Sequence, residues 1–167
     1  TEIRQNFDAE TVFKRYQKLR DVGFALGKKL TERLTKQTIE EGAARLGMLR
    51  GKTIVFPTED MTSVLMDYCI YHVSRDGHNA LDDYLLDNPP ESESDKHVWL
   101  RAAQHSRYCR VKFGSVVPAA GAWIQILGTP ETHFLADYGL SISAVPDMVM
   151  ATRLIFFDNF CCTGGAG

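Results

Sequence analysis

One cysteine and two histidines in the second half of the chain have side chains suited to nucleophilic chemistry. His105 and Cys109 are four residues apart, and His133 lies further along. A thiol becomes a strong nucleophile when a base such as imidazole stands within hydrogen-bond reach. Cys161 or Cys162 could pair with a histidine in the same way, so the sequence singles out no pair. A hydrolase or metal-dependent enzyme using His105, Cys109 and His133 is therefore an alternative, and we expect a protein that is not an enzyme.

The same residue types bind zinc when their spacing brings them together. Cys69 and His72 are three apart in a helical run, and His97, His105 and Cys109 follow one another at larger steps. The chain has no Cys-x-x-Cys pair and no His-Glu-x-x-His motif. These spacings match no zinc-ligand pattern, so we predict no metal site and no cofactor.

Positive charge is concentrated between Lys14 and Lys36, a segment that contains eight basic and two acidic residues. Such a face could contact phosphates with salt-dependent affinity. The candidate nucleic-acid-binding residues in this segment are Lys14, Arg15, Lys18, Lys28, Lys29 and Arg33. No aromatic or glycine-rich element accompanies them to read a base, and residues 57–106 carry a balance of −7. A solvated helix face, turned toward acidic helices of the same protein, is the competing interpretation.

Composition places the chain among ordinary globular proteins. Its 167 residues carry a net charge of −2 and are 44% hydrophobic. No apolar run approaches the ~20 residues that span a bilayer, and the first residues lack the order of a signal peptide. The four cysteines are too few and too irregularly placed for a disulfide framework, so we expect reduced thiols and a cytoplasmic protein. Both ends look cut, which fits a fragment of a longer protein.

Residues 8–50 show helical periodicity, as two helices or one bent helix. Apolar residues recur at steps of three and four on one stripe, namely Val12, Tyr16, Leu19, Gly23, Leu26 and Leu30. Asp8 can accept hydrogen bonds from the free amides of the first turn. Gly23 and Gly27 mark either a break or a place where another helix packs closely. A second stripe ends near Gly47.

The middle of the chain predicts one short extended segment and three helices. The extended segment is Lys52–Phe56, stopped by Pro57. Thr58 is the expected N-cap of a helix over Met61–Val73, which is apolar nearly all round and would form the central core helix. The other two helices run from Asn79, as a cap, to Leu86 and from Asp95 to Gln104.

After Ser106 the apolar period changes from about four to two, which predicts strands. The predicted strands are Tyr108–Val117, Ala122–Leu127, Thr132–Asp137, Leu140–Ser143 and Met148–Phe157, with a last strand at Phe160. Glycine and proline turns separate them, which is typical of a meander curling into a small barrel. The fold class is therefore α+β, with a helical N-terminal region and a small antiparallel C-terminal sheet or barrel. The domains are residues 1–106 and 107–167, or together one compact unit.

The β-rich third resembles a segment of an uncharacterised bacterial protein family with a helical N-terminal region. The resemblance is carried by Val117-Pro118-Ala119-Ala120-Gly121-Ala122, Phe134–Ser141, Ala151–Ile155 and Thr163-Gly164-Gly165. It implies a bacterial, intracellular protein and no particular activity. With no convergent catalytic set, the leading function is a non-enzymatic binding or regulatory module that contacts another protein through its barrel face or basic helix. Nucleic-acid binding through helix 14–36 is the alternative, and the oligomeric state is left open.

Overall fold

A computed structural model describes residues 7–89 and 91–165. The helical part contains the elements α1 Ala9–Glu32, α2 Lys36–Arg45, β1 Leu49–Arg50, β2 Thr53–Ile54, α3 Met61–Tyr71, α4 Ala80–Asp87 and α5 Asp95–Gln104. The later part contains β3 Arg107–Val117, β4 Gly121–Ile126, β5 Thr132–Ala136, α6 Tyr138–Ser143, β6 Val149–Phe156 and β7 Cys161–Thr163. The α+β class, with helices first and a β-barrel after them, is confirmed.

The chain forms two compact units, and the division falls inside α1. The first unit joins the described residues up to Asp21 with His105–Gly164, and the second contains Val22–Gln104. Each unit therefore receives part of the longest helix, and each is described by itself below.

Helix α1 begins where the sequence predicts. Asp8 Oδ1 accepts hydrogen bonds from the backbone amides of Glu10 and Thr11, at 3.1 and 3.2 Å, which satisfies two of the free donors of the first turn. The apolar stripe is buried along the whole helix, from Val12 at 3% exposure to Leu30 at 1%. A turn after Glu32 separates α1 from α2, so the two-helix alternative is the one observed.

The second unit packs around α3, as expected for the most apolar helix of the chain. Its core joins Ala43, Met48, Leu65, Cys69 and Val73. Close helix packing explains two glycines: Gly42 lies against the Cys69 sulfur, and Gly23 lies under the Trp99 indole. Of the two alternatives for Gly23, close packing rather than a break is therefore correct, because α1 continues through it.

The ends of two helices in this unit test the predicted caps. Thr58 is not the cap of α3: Asp60 occupies that position without a side-chain capping bond, and the Thr58 carbonyl instead accepts from the Met61 amide. Asn79 does cap α4, in a capping box where its side chain accepts from the Asp82 amide at 2.9 Å. The Asp82 carboxylate accepts in return from the Asn79 amide, at 3.1 Å.

The strands of the first unit close into a five-stranded barrel, in the order β3-β4-β5-β7-β6. Strand β3 pairs antiparallel with both β4 and β6, and its register shifts between Phe113 and Val116. Every pairing is antiparallel except that of β5 with β7, where Leu135 lies opposite Cys161 in a parallel bridge. The small antiparallel barrel that the sequence predicts therefore contains one parallel bridge, because β7 lies between β5 and β6.

One predicted strand is a helix. Residues Leu140–Ser143 were expected to be extended, whereas Tyr138–Ser143 forms α6. Asp137 caps it by accepting a hydrogen bond from the Leu140 amide at 2.8 Å. The capping aspartate outweighs the short alternation of apolar and polar residues, since four residues give little periodic signal.

Alternate residues of the strands fill the barrel interior. The buried cluster consists of Val111, Phe113, Ala122, Ile124, Ile126, Leu135, Ala144, Leu154 and Cys161. The residues between them in sequence therefore face outward, among them Lys112, Trp123 and Phe134. Within the same unit, burial and the nearby negative charge of Asp137 raise the pKa of Tyr16 in α1.

Candidate binding face of the barrel

A polar cluster where β3 and β5 begin and β6 ends contains one of the predicted catalytic residues. His133 Nε2 lies 3.4 Å from Glu131 Oε2, and Arg107 donates to both oxygens of Glu131, at 2.5 and 3.3 Å. The guanidinium of Arg107 lies 4.8 Å from the Phe156 ring centre, and the centre of the His133 ring lies 5.0 Å from it. The hydrogen bonds from Arg107 and His133 lower the pKa of Glu131. The cluster thus combines an Arg107–Glu131 ion pair with contacts from Arg107 and His133 to one aromatic ring.

Of the other two candidate catalytic residues, Cys109 donates from its thiol to the Arg107 carbonyl of its own strand, at 3.9 Å. Cys109 is half-buried in β3, and burial raises its pKa although Arg107 and Arg153 act in the opposite direction. An activated nucleophile needs a lowered thiol pKa. His105 is exposed between α5 and β3. A catalytic role for His105, Cys109 and His133 stays a prediction, and the charge state of Cys109 does not favour it.

The remaining cysteines are buried as free thiols. Burial raises the pKa of Cys69 to about 11 and that of Cys162 to about 12. The pKa of Cys161 also lies well above its usual value, again because of burial. These thiols stay protonated at neutral pH and pack as small apolar side chains.

Ligand-like groupings elsewhere are limited. Within residues 7–89 and 91–165, no three His, Cys, Asp or Glu side chains are grouped closely enough to hold a metal ion. An open pocket of about 160 Å³ in the second unit has three basic side chains on its wall. Each of them faces a carboxylate: Arg33 with Asp87, Arg75 with Glu41 at 3.9 Å, and His78 with Asp83 at 3.6 Å. These pairs leave little net charge to attract an anion.

The basic residues of segment 14–36 lie on or just after α1, in both units. Lys18, Lys28 and Lys29 are exposed. Two others are in ion pairs, Lys14 with Glu10 at 2.6 Å and Arg33 with Asp87. Glu10 and Asp87 thus neutralise two of these bases, and the role of the segment in nucleic-acid binding stays a prediction.

A different row of side chains stands out on the barrel. Tyr108, Arg110 and Lys112 take alternate positions of β3 and point away from the interior, because Val111 and Phe113 between and beside them fill the core. We call these three residues the β3 row. Arg110 is exposed, Tyr108 is 40% exposed, and Lys112 pairs with the exposed Asp147 at 2.7 Å. On the neighbouring strand, Gln125 lies directly opposite Lys112 and is exposed.

The β3 row was missed by sequence reasoning although the strand itself was predicted. The alternation Tyr-x-Arg-x-Lys was visible in the sequence, but which side of the strand faced the core was not. Among the described residues, Arg110 has no carboxylate partner in an ion pair, so this row keeps a positive charge although Lys112 is paired with Asp147.

Comparison with known proteins identifies a family without an assigned activity. None of the helices that the structure describes has the length and apolar character needed to cross a membrane. No curated protein and no solved structure matches the chain. The model of a family of unknown function, DUF7986, matches residues 10–167. The chain therefore belongs to the DUF7986 family, a family of unknown function.

Proposed function

We propose that this protein is a non-enzymatic binding module whose ligand is single-stranded nucleic acid, held on the outer face of β3 and β4. The observation that carries the proposal is the β3 row, in which one aromatic and two basic side chains follow one another on a single strand. An aromatic ring offers a stacking surface to any base, and the cations contact the phosphates beside it. Helix α1 also carries an exposed aromatic ring, Phe24, between Arg20 and Lys28, so the experiment below compares the two surfaces.

The barrel's connectivity supports the same function by analogy. Its strand order, the bulged first strand shared by two neighbours, the parallel pair β5–β7 and the helix between β5 and β6 are those of the oligonucleotide/oligosaccharide-binding barrel. In such barrels the ligand lies across the second and third strands and the adjoining loops, which here are β4 and β5, so the analogy supports the β4 side of the proposed face. The likeness rests on topology alone, and a shared fold does not by itself transfer a function.

The charge of the β3 row determines the affinity for nucleic acid, and the salt dependence, that we expect. Two phosphate contacts from Arg110 and Lys112 give a slope of about −1.4 in log affinity against log salt, at ~0.7 per contact with a single strand. One stacked base adds ~1–3 kcal/mol. We therefore expect moderate affinity that weakens gradually, not abruptly, between low and physiological salt.

The test compares two pairs of exposed cations by fluorescence anisotropy with a labelled 12-nucleotide oligothymidylate. Arg110→Gln/Lys112→Gln removes the charge of the β3 row, and Lys28→Gln/Lys29→Gln removes the same charge from α1. We expect the first variant to lose most of its affinity, and its remaining binding to depend little on salt concentration. The second variant should bind as the unmodified protein does. Loss only in the second variant would transfer the function to α1, and no binding by the unmodified protein would refute the proposal.

A further inference from the structure

Three aromatic rings meet on the outside of the barrel, next to the β3 row. Trp123 of β4 and Phe134 of β5 are opposite each other in register, with ring centres 5.5 Å apart. The Phe7 ring lies against both, 5.1 Å from Trp123 and 4.5 Å from Phe134. Neither Trp123 nor Phe134 belongs to the barrel interior, yet Phe134 is only 1% exposed. Outward-facing aromatic surface is thus covered by a residue from the chain preceding α1.

The covered rings continue the proposed binding face. Trp123 is two residues from Gln125 on the same side of β4, a separation of ~7 Å along a strand. Gln125 in turn lies opposite Lys112, the last member of the β3 row. A ligand that follows the row across the barrel therefore reaches the Trp123–Phe134 pair next.

We propose that Trp123 and Phe134 form a base-stacking position and that Phe7 occupies it in the absence of ligand, as an intramolecular competitor. This inference rests on the proposed function, because it assigns a second contact to the same ligand. Phe7 is held near its site by α1, whose first turn is capped by Asp8. A flat apolar ring in this place is the nearest equivalent that a protein side chain offers to a nucleic-acid base.

The effect of the competitor on affinity follows from its occupancy. If Phe7 covers the position in about 90% of molecules, the apparent dissociation constant is raised about tenfold over that of the uncovered face. Removing the ring should therefore tighten binding about tenfold, and the gain should depend on Trp123. An ordinary packing role for Phe7 predicts no such gain.

The experiment measures oligothymidylate binding by anisotropy for the full chain and for Phe7→Ala, with circular dichroism as a check on folding. Phe13→Ala is the matched control: it removes another ring of the same helix region, one that lies 6.4 Å from Tyr138 instead of against Trp123. We expect about tenfold tighter binding for Phe7→Ala, no gain for Phe13→Ala, and no gain for Phe7→Ala/Trp123→Leu. Phe7→Leu, which keeps an apolar anchor without a flat ring, replaces Phe7→Ala if that variant does not fold.

The possible results separate the two proposals. Binding that depends on Arg110 and Lys112 but does not tighten when Phe7 is replaced would overturn this inference and leave the proposed function in place. Absence of binding by the unmodified protein would overturn the proposed function and this inference with it.

Discussion

Two glycines in successive turns of α1, Gly23 and Gly27, allow the energetic cost of close packing to be separated from the effect of helix propensity. A Cβ added at Gly23 would fall inside the Trp99 indole, with Cε2 at 2.6 Å, whereas a Cβ added at Gly27 meets nothing within 4 Å. Both residues are helical and lie in the second unit. Replacing either by alanine removes the same backbone-entropy penalty, so the difference between the two variants isolates the contact with Trp99.

The magnitudes follow directly. Gly27→Ala should raise the free energy of unfolding by ~1 kcal/mol, the usual gap between glycine and alanine in a helix interior. Gly23→Ala receives the same gain but must displace a rigid ring, and overpacking of a core costs about 1–3 kcal/mol. We therefore expect Gly23→Ala to be less stable than Gly27→Ala by about that cost.

Urea denaturation followed by circular dichroism and tryptophan fluorescence gives the comparison. With a slope of about 2 kcal/mol per molar urea, the two midpoints should differ by about 0.5–1.5 M. Gly23→Ala should become stabilising once Trp99 is replaced by leucine, since the ring that obstructs the methyl group is gone. Equal stabilisation by Gly23→Ala and Gly27→Ala in the native background would refute the close approach of α5 to α1.

Two further predictions concern a cap and a buried thiol. Asn79→Ala should lower the free energy of unfolding by about 1 kcal/mol because it removes the capping box of α4, and urea titration of Asn79→Ser, which keeps a capping oxygen, should show a smaller loss. Burial raises the folded-state pKa of Cys162 to about 12, above the ~8.5 of an unfolded thiol, so the unfolded chain releases this proton first and stability falls as pH rises. The free energy of unfolding from urea titrations should fall by up to ~1.4 kcal/mol per pH unit between about pH 9 and 11 because of this group, and a Cys162→Ala variant with an equally steep fall would contradict that origin.

Local sequence signals predicted the elements that depend on local interactions. The bounds of α5 and the cap of α4 match the prediction, and the change of period near Ser106 marks the start of the barrel. Strand β7 was predicted only as a strand near Phe160, because parallel pairing with β5 depends on a partner distant in sequence. Helix α6 was missed since six residues are too few for periodicity to outweigh a misleading alternation.

The candidate binding face could be predicted only in part. The residue types of the β3 row are visible in the sequence, and the strand that carries them was predicted. Their common outward direction became clear only when Val111 and Phe113 were seen to fill the interior. The neighbouring position of Phe7 could not be predicted at all, because it depends on where the chain before α1 runs over β4 and β5.

The late arrival of strand β7 has a consequence for biosynthesis. Cys161–Thr163 pairs on both sides, with β5 and with β6, and is the last barrel strand to leave the ribosome. Until it emerges, two neighbouring strands keep unsatisfied backbone groups along one edge, where another nascent chain can add. The nascent chain is therefore exposed to misassembly until these three residues are available for pairing, and a chaperone would be needed most in that interval.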